Sequence, residues 1–109
     1  MTAAAEDLKF IDEIGISGVF TSEAQALRDK SYSVQITSTG IGTYNLRLET
    51  SLNKEDWIIV NNPVDSQLIG LDETDGPVLY DQALGKHRFV RVIIEVTTGS
   101  MDFKGWVNS

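Results

Sequence analysis

YSVQITSTGIGTYNLRLET, residues 32–50, holds two runs of alternation separated by glycines. In the first, Tyr32, Val34 and Ile36 share one side, and Ser33, Gln35 and Thr37 the other. In the second, Tyr44, Leu46 and Leu48 oppose Asn45, Arg47 and Glu49. A period of two with the apolar residues on one side marks a strand with one face on a core and one in water. The intervening STGIG has the length and glycine content of a hairpin connection. The stretch therefore reads as strand, turn, strand.

The same build recurs near the end of the chain. In FVRVIIEVTT, residues 89–98, Val90, Val92, Ile94 and Val96 alternate with Phe89, Arg91, Ile93 and Glu95. A Thr-Gly-Ser turn follows, then MDFKGWV, with Met101, Phe103 and Val107 on one side and Trp106 on the other. Tyr32–Thr50 and Phe89–Val107 are thus expected as two hairpins, one in each of two packed sheets.

Shorter elements lie between them. After Leu48, the polar run Leu52–Asp56 reads as a turn, and Trp57 opens a new apolar run, WIIV. The alternation places Trp57 inward with the Tyr and Phe rings, where truncation to alanine would cost about 3–5 kcal/mol. SQLIGL is a weaker strand, LDETDGP a turn, and PVLYDQ a short edge strand that suits Pro77 at its start. Upstream, Ile14, Ile16 and Phe20 alternate around Gly15 and Gly18, and TSEAQALRD fits either a helical turn or a strand edge. AAAEDLKFIDEI has good helix formers but is short, so residues 1–13 are expected to form an extended or short helical arm. Residues 14–109 form the domain, an antiparallel two-sheet β-sandwich of about eight strands. Tyr32, Tyr44, Trp57, Phe89 and Val92 are its expected core.

Composition narrows the function. The 109 residues suit one domain, and none is cysteine, which removes disulfides, thiolate metal sites and cysteine nucleophiles. The net charge of −7 argues against binding a phosphate backbone. The N-terminus lacks the basic flank and apolar run of a signal peptide, and no apolar stretch reaches membrane-spanning length. No nucleic-acid or membrane partner is expected.

Candidate chemistry is sparse. The single histidine, His87, has no GxSxG elbow to serve and reads as a loop residue before a strand. Asp72, Glu73 and Asp75 lie together on a turn that lacks the ligand ladder of a calcium loop; a plain acidic turn is the simpler reading. The glycines precede no helix and form no phosphate cradle. Neither a catalytic residue, a metal nor a cofactor is expected. Trp106 and Arg91 fall at outward positions, and together with Arg88 they are candidates for an interaction surface.

Several of these segments resemble small β-sandwich proteins encoded among tailed-phage virion genes. The shared run is Tyr32–Gln35, the Gly42-Thr43 turn, Thr50-Ser51, the turn Asn53–Trp57 and the late Arg88-Phe89-Val90-Arg91-Val92. It spans roughly residues 17 to 108, and it is also similar to the "S-x-D-G-x-x-W … R-Y-V-R" skeleton of discoidin-type sandwiches, although this chain has Leu52-Asn53-Lys54-Glu55-Asp56 where the commoner form has a D-G pair. The resemblance implies a non-enzymatic virion structural protein, assembled in the host cytoplasm. Its role would be capsid decoration or cement, or that of a tail or fibre component. Its partners would be other virion proteins, with many copies of the chain on a symmetric lattice or in a homo-oligomer. A carbohydrate- or receptor-binding module is the alternative, with Trp106 as its aromatic platform.

Overall fold

A computed structural model describes residues 8–27, 32–59, 67–72, 74–82 and 88–108. His87 and the N-terminal residues 1–7 lie outside them. Seven strands follow in chain order: β1 (Leu8–Thr21), β2 (Gln25–Ala26), β3 (Tyr32–Ser51), β4 (Ile58–Ile59), β5 (Gln67–Asp72), β6 (Val78–Gln82) and β7 (Phe89–Asn108). All belong to one antiparallel sheet, ordered β1-β7-β3-β4, with β2 on β7 and β5 and β6 on β3. No helix occurs among the described residues, and Leu8–Glu13, expected in the arm, form the first half of β1.

The two expected hairpins do not form. β3 and β7 each run unbroken for 20 residues and pair with one another from Ser33↔Asn108 to Ser51↔Phe89. The glycines read as turns face each other at mid-length, Gly42 opposite Gly99. A Cβ on Gly99 would overlap the Ile41 carbonyl oxygen and lie 2.9 Å from Gly42 Cα; one on Gly42 would overlap the Thr98 carbonyl oxygen. Within a strand, glycine marks a bend or a close approach of backbones as readily as it marks a loop.

The bend is sharp. A straight strand of 20 residues would span about 66 Å, whereas the molecule's longest extent is 36 Å. Tyr44 and Ser38 would stand about 20 Å apart on a straight strand, yet their hydroxyls lie 3.2 Å apart. The Tyr44 ring also meets Phe103 edge-on, with centroids 5.0 Å apart. The sheet is therefore folded so that the inner faces of two arms share one core: a first arm, residues 33–42 against 99–108, and a second arm, residues 43–51 against 89–98. Beside the bend, Thr97 is the extra residue of a bulge between Thr43 and Tyr44, and its hydroxyl lies 2.7 Å from that of Thr43.

The inner faces carry the alternation read from the sequence. Tyr32, Val34, Ile36, Tyr44, Leu46 and Leu48 of β3 are buried with Val90, Val92, Ile94, Val96, Met101, Phe103 and Val107 of β7 and Ile11 of β1. Burial raises the ionisation of both Tyr32 and Tyr44 above the ordinary tyrosine range. Two expected core rings are elsewhere. Trp57 and Phe89 are half-buried and absent from the core cluster. Phe89 shares the outward side of β7 with Arg91, as its odd position dictates. Trp57 lies outside the strands, just before β4; its indole N–H donates to the Lys54 carbonyl at 3.2 Å and its ring lies under the Arg91 guanidinium.

Candidate interaction surfaces

The outer face of the second arm carries charge. In cross-strand register, Glu49 lies opposite Arg91. The Glu49 carboxylate, itself buried, accepts from Arg47 Nε at 2.9 Å and from Arg91 Nε at 2.8 Å. The Arg91 guanidinium lies 4.2 Å from the centre of the Trp57 ring, and Lys54 Nζ lies 4.9 Å from that of Phe89. Glu95, on the same side of β7, accepts from Asn45 Nδ2 at 3.1 Å. Every charge in this group has a partner, and the arrangement covers the sheet rather than offering a vacant ligand site.

The turn beneath it is built by short side chains. Asn53 Oδ1 accepts from the backbone N–H groups of Glu55 and Asp56, both at 2.9 Å, and Ser51 Oγ accepts from those of Asn53 and Lys54. Such side-chain capping reverses the chain without a Gly pair. The acidic turn after β5 is closed in the same way. Asp72 Oδ1 accepts from Thr74 N at 2.8 Å, and Asp75 Oδ2 accepts from Asp72 N at 2.7 Å. The Thr74 hydroxyl and backbone hold the Asp72 carboxyl below its usual range. These carboxylates are used by the turn's own backbone, and no metal-ligating group of three or more occurs among the described residues.

The first arm is different. Its outer face holds a trough of about 410 Å³ lined by Asp12, Glu13, Ile14, Thr37, Thr39, Asp102, Phe103 and Lys104. Register explains it. Asp12, Lys104 and Thr37 form one row across β1, β7 and β3, and Asp102 and Thr39 belong to the next. Neighbouring rows on one face stand two residues, or about 7 Å, apart. Ile14 falls within the register shift between Glu13 and Ile16 and is 83% exposed although it sits within a strand. Sequence alternation grouped it with Ile16 and Phe20, which pack against the core. Register shifts on both sides of Ile16, with Gly15 and Gly18 at positive φ, break that parity. Asp102 Oδ1 accepts from Gly15 N at 2.9 Å and pins the kink.

The residues singled out by sequence therefore do not converge. Arg91 belongs to the Glu49 group on the second arm. Arg88 is exposed just before β7, its carbonyl accepting from Leu27 N at 2.8 Å. Trp106 is half-buried on the outer face of the first arm, between Lys9 and Gln35 in register. Ile14 was read with Ile16 and Phe20, and nothing in the sequence set it beside Asp102, because only the β1 bulges and the β1–β7 register bring the two together.

No family model matches the sequence, and no curated protein matches it. The fold is shared with a solved structure. That structure is the SPBc2 prophage-derived protein YomS, with a TM-score of 0.68 at 10% identity, over 100% of this chain and 98% of that one.

Proposed function

We propose that the chain is a non-enzymatic structural component of a phage particle, docking onto other virion proteins through the outer faces of its folded sheet. The supporting observation is the fold shared with a prophage-derived protein over nearly the whole of both chains. A rigid, core-filled sheet suits such a role: its outer faces keep their shape, so docking loses little conformational freedom. Capsid decoration or a tail position, in many symmetric copies, is the form this role takes.

Immunogold electron microscopy of particles released by the host that encodes the protein tests this. Label on head or tail is the expected result. Protein confined to the soluble lysate, with none on particles, overturns it.

A further inference from the structure

The geometry points to the trough on the first arm, with Trp106 at its margin, as a binding site for a neutral saccharide. This goes beyond the particle role proposed above and does not rest on it. Three observations carry it.

The first is the contrast between the two tryptophans. The Trp57 indole N–H donates to Lys54, and its ring lies under the Arg91 guanidinium. The Trp106 N–H has no polar partner among the described residues, and none of their cations stacks on its ring. Trp106 stands half-buried on the outer face, one row, or about 7 Å, from Lys104. An indole placed so offers a flat apolar surface with a donor at its edge. The C–H face of a sugar ring and the hydroxyls around it match that pair.

The second is the balance of charge. On the outer face, Lys9 and Lys104 stand against Asp12 and Asp102. Glu13, at the rim, belongs to the inner-face row of Phe103 and Ser38. The outer-face charges cancel, in a chain whose net charge is −7. A cationic ligand would meet Lys104 and an anionic one the two carboxylates, and a neutral ligand avoids both repulsions.

The third is the set of uncommitted hydrogen-bonding groups. The Lys104 ammonium and the Thr39 hydroxyl have no partner among the described residues. Asp102 commits Oδ1 to Gly15 N, and Asp12 commits Oδ2 to Lys9, which leaves the second oxygen of each. Donors and acceptors thus stand side by side around about 410 Å³. A hydroxyl both donates and accepts, so a polyol can meet both kinds at once. A concavity of this size with a few convergent polar groups suits a small molecule.

The test probes an array of neutral, sialylated and amino-sugar glycans with the full chain, labelled through an N-terminal tag so that Lys104 stays unmodified. Signal confined to neutral glycans is expected, and it should hold as salt is raised, unlike an ion-driven contact. Trp106→Ala should weaken it roughly tenfold, as should the Thr39→Val/Lys104→Met double variant. Thr39 and Lys104 are exposed, so the double variant should keep the wild-type melting temperature and decides the matter even if Trp106→Ala fails to fold. No signal on any neutral glycan overturns the inference. Equal binding of sialylated glycans, or undiminished binding by the double variant, does so too.

Discussion

Alanine at three glycines separates the two costs that the bend imposes on the backbone. Gly18 has φ +79° and open space where a Cβ would be; Gly42 lacks a positive φ, but its Cβ would overlap the Thr98 carbonyl; Gly99 combines φ +79° with overlap of the Ile41 carbonyl. A non-glycine residue in the left-handed region costs about 1–2 kcal/mol. Forcing an extra carbon into closed packing costs about 1–3 kcal/mol. Gly18→Ala is therefore expected to lose about 1–2 kcal/mol, Gly42→Ala about 1–3, and Gly99→Ala about 2–5. Against a domain stability of about 5–15 kcal/mol these losses are large. Urea unfolding followed by far-ultraviolet circular dichroism resolves them as midpoint shifts, provided the slope is unchanged. Gly42 and Gly99 face one another, so the Gly42→Ala/Gly99→Ala double variant should depart from the sum of the single losses. If Gly42→Ala stays within about 0.5 kcal/mol of wild type, as a surface site would, the close crossing of β3 and β7 is wrong and the two-hairpin arrangement returns.

Trp57→Ala is expected to cost about 1–2 kcal/mol, from a half-buried ring and one cation–π contact, rather than the larger loss of a core ring; a loss above about 3 kcal/mol in urea would place the indole in the core. Glu49→Gln leaves Arg47 and Arg91 without their shared charge. Both arginines are partly in water, which limits the expected loss to about 1–2 kcal/mol, and the difference from wild type should shrink in high salt. Tyr32 and Tyr44 hold their protons more tightly when folded than when unfolded, so their contribution is complete below the ordinary tyrosine value of 10.0 and is lost as pH rises beyond it. Thermal melts should accordingly fall above that pH, and Tyr44→Phe should blunt the fall; a flat profile to the alkaline limit would refute the burial of both hydroxyls.

The inner faces were legible because side-chain parity is a local property. Val90, Val92, Ile94 and Val96 read inward from the sequence and are buried. Pairing is not local. Gly42 and Gly99 meet across 57 positions (99 − 42), and nothing within STGIG or TTGS distinguishes a hairpin tip from the bend of a long strand. The symmetry of the two segments was visible all the same. Each places its central glycine about ten residues from one end and nine from the other, which is what two strands bent together require. Trp57 was misplaced for a related reason. An apolar run after a turn resembles a core strand, but among the described residues of the run only Ile58 and Ile59 pair, at an edge, and Ile58 is 69% exposed. Trough and bulges escaped notice together, because bulges reset parity in β1 and only the fold reveals where the reset falls.

The edges of the sheet bear on how such a molecule could assemble. Among the described residues β1 pairs only with β7, which leaves a 14-residue outer edge, and an open edge is a template for strand addition by another copy. This edge is ill suited to that. Three register shifts interrupt it, Gly15 and Gly18 kink it at positive φ, and its first half carries Lys9, Asp12 and Glu13. Its longest regular run is the four residues Gly18–Thr21. The opposite edge is divided among β4, β5 and β6. An incoming strand would find few consecutive N–H and C=O groups in line on either side, so backbone pairing between copies is disfavoured. Side-chain contacts on the outer faces remain, and they differ between the arms. On the second arm, Arg47, Glu49, Arg91 and Trp57 already satisfy one another. On the first, Ile14 stands 83% exposed within the same irregular stretch of β1 that blunts the edge. A single irregularity in β1 thus closes one route of association and opens another.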